Sequence, residues 1–83
     1  MKTTRYFEEQ VLRKRPYIRR EWCRDVLAAP LRREAQNDRR IRFWGKIVIP
    51  DETRPRFLRV VTLEDGETVH NAFFDRNFRE EEQ

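Results

Sequence analysis

The dipeptide Asp65-Gly66 lies between two runs of β-branched and aromatic residues, and it constrains the fold more than any other feature of the sequence. Such a dipeptide is typical of a two-residue hairpin turn, because glycine readily adopts the positive φ that this turn requires. The sequence therefore predicts an antiparallel hairpin with strands over residues 56–63 and 67–74. A two-residue turn would place Val61 opposite His70 and Leu58 opposite Phe73.

Alternation along the hairpin assigns its side chains to two faces. One face would carry Leu58, Val60, Thr62, Val69, Asn71 and Phe73. The other face would carry Phe57, Arg59, Val61, Leu63, Thr68, His70, Ala72 and Phe74. Burying an unpaired arginine is costly, so the face with Arg59 should remain in water. We therefore expect helices to cover Leu58, Val60, Val69 and Phe73.

Two helices are predicted before the hairpin. Phe7 and Val11 have helical spacing within residues 4–15, and Pro16 ends that segment. Ile18, Trp22 and Val26 form a second apolar stripe, which continues until Pro30. Cys23 lies on this stripe and is expected to be a small core residue.

The segment between the helices and the hairpin has the two-residue period of strands. In residues 40–49, Ile41, Phe43 and Ile47 alternate with Arg42, Trp44 and Lys46, and residues 31–36 form a weaker, charged candidate for an edge strand. The predicted fold class is α+β, with two N-terminal helices packed on one face of a three- to four-stranded antiparallel sheet. Residues 1–79 would form a single domain, followed by an acidic flexible tail at residues 80–83.

Composition excludes several classes of protein. The chain has 83 residues, of which 41% are charged, and it contains no apolar run of the roughly 20 residues that span a membrane. A soluble, cytoplasmic protein without membrane contact is expected. With one cysteine and one histidine, the chain cannot form an internal disulfide or a usual zinc site, so no metal and no cofactor are expected.

Positive charge exceeds negative charge, with 19 Lys and Arg against 15 Asp and Glu, and arginine far outnumbers lysine. A guanidinium group binds phosphate with two parallel hydrogen bonds and stacks on flat rings. The charge is compatible either with a solvated surface or with a face that binds polyanions.

The face of the sheet that carries Arg59 is the candidate functional surface. Joining the strand 40–49 to the hairpin places Arg42, Trp44 and Lys46 on the same side as Arg59 and His70. Basic groups interleaved with aromatic rings on a sheet are typical of single-stranded RNA binding. The apolar side chains Phe57, Val61 and Leu63 on that side equally suit a non-enzymatic module that binds a protein partner or forms a homodimer.

Three motifs resemble the RelE/ParE/BrnT group of small toxins and its uncharacterised relatives. The segment 18–27 followed by Pro30 is similar to the second helix of that group, with the pattern Ile-x-x-Glu-x-x-x-x-Val-Leu and then proline. The segment 40–47 resembles its arginine-led strand, and the segment 56–61 resembles the Arg-hydrophobic-Leu-x-Val-Val strand that follows. Together the motifs cover about residues 4–79.

The resemblance implies an endoribonuclease that acts on free or ribosome-bound RNA and is neutralised by an antitoxin protein. The strand arginines Arg42 and Arg59 carry over by position. Cleavage at the 2′-hydroxyl needs a proton acceptor and groups that stabilise charge on the phosphate.

Each candidate residue has a functional and a structural interpretation. His70 is predicted as general base or acid with Arg59 on the phosphate, and otherwise it is an ordinary strand histidine. RNA contacts are predicted for Arg42, Trp44, Lys46 and Arg76. Alternatively, Trp44 covers apolar surface and Arg76 pairs with Asp75. The acidic tail either stays solvated or competes with RNA for the basic face.

Overall fold

The computed structural model describes residues 1–80 as one five-stranded sheet covered on one face by two helical segments. The first helix comprises a π-helical segment, Phe7–Val11, followed by α1, Leu12–Lys14. The other elements are β1 (Lys2–Thr3), α2 (Arg20–Ala28), β2 (Arg32–Ala35), β3 (Ile41–Ile47), β4 (Arg56–Thr62) and β5 (Thr68–Phe74). The strand order across the sheet is β1-β5-β4-β3-β2.

The α+β class is confirmed, but the predicted arrangement is wrong in three respects. The sheet has five strands rather than three or four. The sheet is mixed rather than antiparallel, because β1 pairs with β5 in parallel, with Lys2 beside Thr68 and Thr3 beside Val69. The helices also follow this first strand instead of beginning the fold. A strand of two residues is too short to produce an alternating pattern, so periodicity could not identify it.

Thr4 connects β1 to the first helix. Its amide donates to the Val69 carbonyl at 2.9 Å, and its side-chain hydroxyl accepts a hydrogen bond from the Phe7 amide at 3.1 Å. A threonine hydroxyl in this position caps the start of a helix, because it satisfies an amide that has no partner within the helix. Phe7 and Val11 then point into the core, as their spacing predicts.

The core lies between the helices and one face of the sheet. It contains Phe7, Val11, Ile18, Cys23, Val26, Ile41, Phe43, Ile47, Leu58, Val60, Val69 and Ala72. The predicted burial of Leu58, Val60 and Val69 beneath the helices is confirmed, as are the second helical stripe and the edge strand β2. No helix within residues 1–80 is long and apolar enough to cross a membrane.

A β-bulge changes the register of the hairpin. Next to the turn, Thr62 pairs with Val69 as predicted, but Val61 pairs with Asn71 and Leu58 with Phe74. The predicted pairs Val61–His70 and Leu58–Phe73 are therefore wrong. His70 is the extra residue of the bulge. An inserted residue moves every side chain that follows it to the opposite face of the sheet.

The bulge exchanges the two phenylalanines that end β5. Phe73 lies opposite Arg59, on the face away from the helices, whereas Phe74 packs against Trp22 of α2 with ring centroids 6.0 Å apart. The expectation that Phe73 and Asn71 join the aliphatic face was wrong for this reason. Ala72, predicted on the wet face, is instead fully buried in the core.

Candidate functional site

A row of alternating arginine and aromatic side chains crosses the face opposite the helices, which we call the outer face. Cross-strand pairing aligns Arg32 with Trp44, Trp44 with Arg59 and Arg59 with Phe73. The Arg59 guanidinium carbon lies 5.4 Å from the centre of the Trp44 ring system and 4.7 Å from the Phe73 ring centre. Arg32 lies 5.8 Å from Trp44, and Arg15 lies 5.7 Å from Phe73. These distances are within the range of cation–π attraction.

Asp75 holds the centre of this row in place. Its carboxylate accepts hydrogen bonds from Trp44 Nε1 at 2.9 Å and from Arg59 Nη2 at 2.7 Å. Burial alone would raise the pKa of Asp75, but hydrogen bonds from Trp44, Arg59 and the Asn77 amide, with the charge of Arg59, lower it. Asp75 is therefore a carboxylate that neutralises Arg59. The alternative in which Asp75 pairs with Arg76 is not what the structure shows.

The residues after β5 fold back over the outer face. Phe78 stacks on Trp44 with centroids 5.5 Å apart and packs against Phe57 at 5.1 Å. Glu80 pairs with Lys46 at 3.1 Å. Only 4% of Trp44 is exposed, so the expectation of an open ring on a wet face was wrong. The remaining tail residues, 81–83, lie outside the described part of the chain.

His70 and Arg59, the predicted catalytic pair, have different partners. His70 Nδ1 lies 3.0 Å from the Thr4 hydroxyl, and its ring stacks on Tyr6 at 4.8 Å. Burial, followed by the positive charge of Arg40, lowers the pKa of His70. A neutral imidazole can accept a proton, but Arg59 is occupied by Asp75 and lies opposite Phe73, three residues farther along β5.

Of the two strand arginines that the resemblance singles out, Arg42 and Arg59, Arg42 remains available to bind an anion. It lies beside Glu34 in the adjacent strand, but Glu34 pairs with Arg32 at 2.8 Å. Within residues 1–80, Arg42 has no ion pair. Of the sheet residues predicted to contact RNA, Arg42 is therefore free to bind an anion, whereas Lys46 is paired and Trp44 is covered.

A cavity of about 360 Å³ opens at the end of the hairpin far from its turn. Its lining consists of Arg54, Pro55, Arg56, Phe57, Phe74, Asp75, Arg76, Phe78 and Arg79. The first residues of β4 meet the residues that follow β5 at this place, because the two strands are antiparallel. We call it the arginine cavity.

The four arginines of the cavity differ in their partners. Arg56 pairs with Glu52 at 2.9 Å and lies 5.0 Å from the Phe74 ring centre. Arg79 donates to the backbone carbonyls of Arg76 and Phe78, at 3.2 and 3.3 Å. Among the described residues, Arg54 and Arg76 have no ion pair.

Sequence reasoning identified Arg76 but missed Arg54, Arg56 and Arg79. A signal was present, because a hairpin brings its two outer ends together and both ends here carry an arginine within two residues of a phenylalanine. The C-terminal fold-back, which supplies Phe78 and Arg79, has no comparable sequence pattern.

Cys23 is outside the candidate site. It is fully buried in the core, as predicted, and burial raises the pKa of its thiol to about 12. Within the described residues, no three His, Cys, Asp or Glu side chains are grouped so as to hold a metal ion.

Comparisons of the chain with protein-family models, with curated proteins and with solved structures each give no significant match.

Proposed function

We propose that this chain is a toxin-like, RNA-acting domain that binds single-stranded RNA through the arginine cavity and the adjoining outer face. The observation that carries the proposal is the cavity itself, in which four arginines and three phenylalanines surround about 360 Å³. Guanidinium groups bind phosphates, and phenylalanine rings stack on unpaired bases. Both groups are needed to bind a single strand without reading its sequence.

The dimensions of the cavity favour single-stranded RNA over a duplex. Ligand pockets begin at roughly 300 Å³, so this cavity accommodates a group the size of one nucleotide. Aromatic rings reach a base only when the base is unstacked. Arg42 on the outer face supplies a further cation for the RNA backbone.

The ribonuclease activity implied by the resemblance is part of the proposal, with His70 as the proton acceptor. Neutral His70 has the protonation state that a base requires, and its lowered pKa maintains that state near neutral pH. Since Asp75 neutralises Arg59, the contact to the reacting phosphate falls to Arg42, which is aligned across β4 with Asn71, the neighbour of His70. The cavity arginines, at the far end of the hairpin, bind another part of the strand.

A protein-binding or dimer-forming outer face is less well supported. Such an interface requires exposed apolar area at its centre. Phe78 covers Trp44 and part of Phe57, and Phe78 itself is only 8% exposed.

The test compares two pairs of charge-removing substitutions. Arg54→Ala with Arg76→Ala removes two unpaired cations from the cavity, and Arg13→Ala with Arg24→Ala removes two exposed cations from the helical side. Fluorescence anisotropy with a labelled single-stranded RNA measures affinity at several salt concentrations, and gel electrophoresis of the same RNA detects cleavage.

We expect about tenfold weaker binding for the cavity pair and little change for the helical pair. The log–log salt slope, near -3 for about four phosphate contacts, should become shallower by about 1.4 in the cavity pair. Equal losses in the two double variants would show nonspecific attraction and would contradict the proposed site. If the wild-type chain binds no RNA, the proposed function is wrong.

A further inference from the structure

We infer that the arginine cavity binds a nucleotide that carries a phosphate monoester, such as the phosphorylated end of an RNA strand. This inference rests on the proposed function and specifies its ligand. It depends on the charge and the size of the cavity.

The cavity carries more positive charge than one phosphate within an RNA chain would neutralise. Glu52 neutralises Arg56, and Arg59, which lies outside the cavity, neutralises Asp75. Within residues 1–80, three guanidinium groups of the cavity have no carboxylate partner, those of Arg54, Arg76 and Arg79.

A phosphodiester within an RNA chain carries one negative charge. A phosphate monoester carries between one and a half and two negative charges near pH 7, because its second pKa is about 6, and it offers three terminal oxygens. The monoester therefore matches several guanidinium groups around one cavity better than a phosphodiester does.

The size of the cavity is consistent with a single nucleotide. At about 360 Å³ the space is close to the lower limit of ligand sites, so it does not admit several nucleotides side by side. Phe57 and Phe74, both partly exposed, line the same space and provide the flat apolar surface that a base requires, while the buried Phe78 packs against Phe57. The phosphate and the base of one terminal nucleotide can thus be bound together.

The cavity also adjoins the outer face, which gives the remaining RNA a path. Phe78 lines the cavity and at the same time stacks on Trp44 of the outer face. A strand that begins in the cavity would pass over Phe78 and Lys46 toward Arg42.

The experiment uses one short RNA sequence in three forms: with a 5′-phosphate, with a 3′-phosphate and with hydroxyls at both ends. Competition by AMP, with adenosine as control, reports whether a free mononucleotide is also bound. The wild-type chain is compared with Arg76→Ala, Arg76→Lys and the helical-side control Arg13→Ala.

We expect one phosphorylated form to bind about tenfold more tightly than the hydroxyl form, and AMP to compete where adenosine does not. Arg76→Ala should remove that preference, Arg76→Lys should retain part of it, and Arg13→Ala should leave it unchanged. Preference for the 5′ or the 3′ form identifies the bound end, and competition by AMP without any such preference identifies a free nucleotide.

Two results would be negative, and they are distinguishable. If all three RNAs bind equally and AMP does not compete, the inference about the monoester is wrong while RNA binding stands. If none of the RNAs binds, the proposed function fails as well.

Discussion

Gly45 determines how closely α2 approaches the sheet. A Cβ atom at this position would lie 2.6 Å from Cγ2 of Val26, which is much closer than carbon atoms pack. Val26 is itself buried in the core, so it has little space into which to move. Contact between α2 and β3 therefore depends on the absence of a side chain at residue 45.

We predict that Gly45→Ala lowers the free energy of unfolding by about 1–3 kcal/mol, because overpacking strains a well-packed core. Val26→Ala is also expected to destabilise the chain, since it leaves a cavity. The double variant should lose less than the sum of the two, because the second change makes room for the first. Urea unfolding of the three variants measures this coupling, and strictly additive losses would contradict the proposed contact.

Arg59 and Trp44 show which part of the site alternation along the strands could predict. Both lie on the outer face as expected, because their facing follows from the period of the strands. The contacts that these two side chains make did not follow from the period. Asp75 and Phe78, which bind and cover them, come from residues beyond the last strand, and no pattern in the sequence indicates a fold-back.

At the level of elements, one cluster connects β1, the first helix and α2. Glu8 accepts a hydrogen bond from the Thr3 hydroxyl at 2.5 Å and forms an ion pair with Arg20. The hydrogen bonds from Arg20 and Thr3 lower the pKa of Glu8 from 4.5 to about 2. Three elements that are separate in the sequence therefore depend on one carboxylate.

We predict that Glu8 makes the fold sensitive to acid. The folded chain keeps Glu8 ionised down to about pH 2, whereas the unfolded chain protonates it near pH 4.5. This stabilisation is fully present above pH 4.5 and is lost as the pH falls through 2. The melting temperature, measured between pH 2 and 7, should depend less on pH in Glu8→Gln than in the wild-type chain.

The control for this prediction is Glu9→Gln. Glu9 pairs with Arg5, whose side chain is 88% exposed, and such surface pairs contribute little to stability. If Glu8→Gln and Glu9→Gln show the same pH dependence as the wild-type chain, the three-element contact does not stabilise the fold.

The bulge in β5 is the element that sequence reasoning could not place. Bulges often contain glycine, but β5 contains none, and both registers of the hairpin bury several apolar side chains. The position of the turn was predictable because Asp65 and Gly66 are chemically suited to it. The predicted length of two residues was wrong, since the Gly66 amide donates to the Leu63 carbonyl at 3.1 Å and residues 63–67 connect the strands. Asp65 accepts hydrogen bonds from the amides of Glu67 and Thr68, both at 2.9 Å, and Gly66 has a φ of 71°.

For the molecule as a whole, the segment from Asp75 to Glu80 forms a second, smaller layer on the sheet. The helices cover the aliphatic face of β3, β4 and β5, and this segment covers the middle of the other face through Phe78. Sequence patterns predicted a sheet with one dry and one wet face. The structure instead has a small aromatic cluster on the outer side, built from Trp44, Phe57 and Phe78.

We predict that Phe78→Ala exposes Trp44 and lowers the free energy of unfolding by about 2–4 kcal/mol, because it removes a buried aromatic side chain. In a Trp22→Phe background, tryptophan emission should shift to longer wavelength and acrylamide quenching should increase. Asn77→Ala, which changes the exposed side chain next to Phe78, is the matched control. Unchanged quenching in Phe78→Ala would mean that the segment does not cover Trp44.

The pairing of β1 with β5 also has a kinetic consequence. Lys2 and Thr68 are neighbours in the sheet although most of the chain lies between them, so their contact closes a very long loop. Contacts of this kind slow folding, because ordering of the intervening chain must precede any gain from the contact. We therefore expect β1 to dock last during folding and to detach first during unfolding, with Thr4 and the start of the first helix released at the same time.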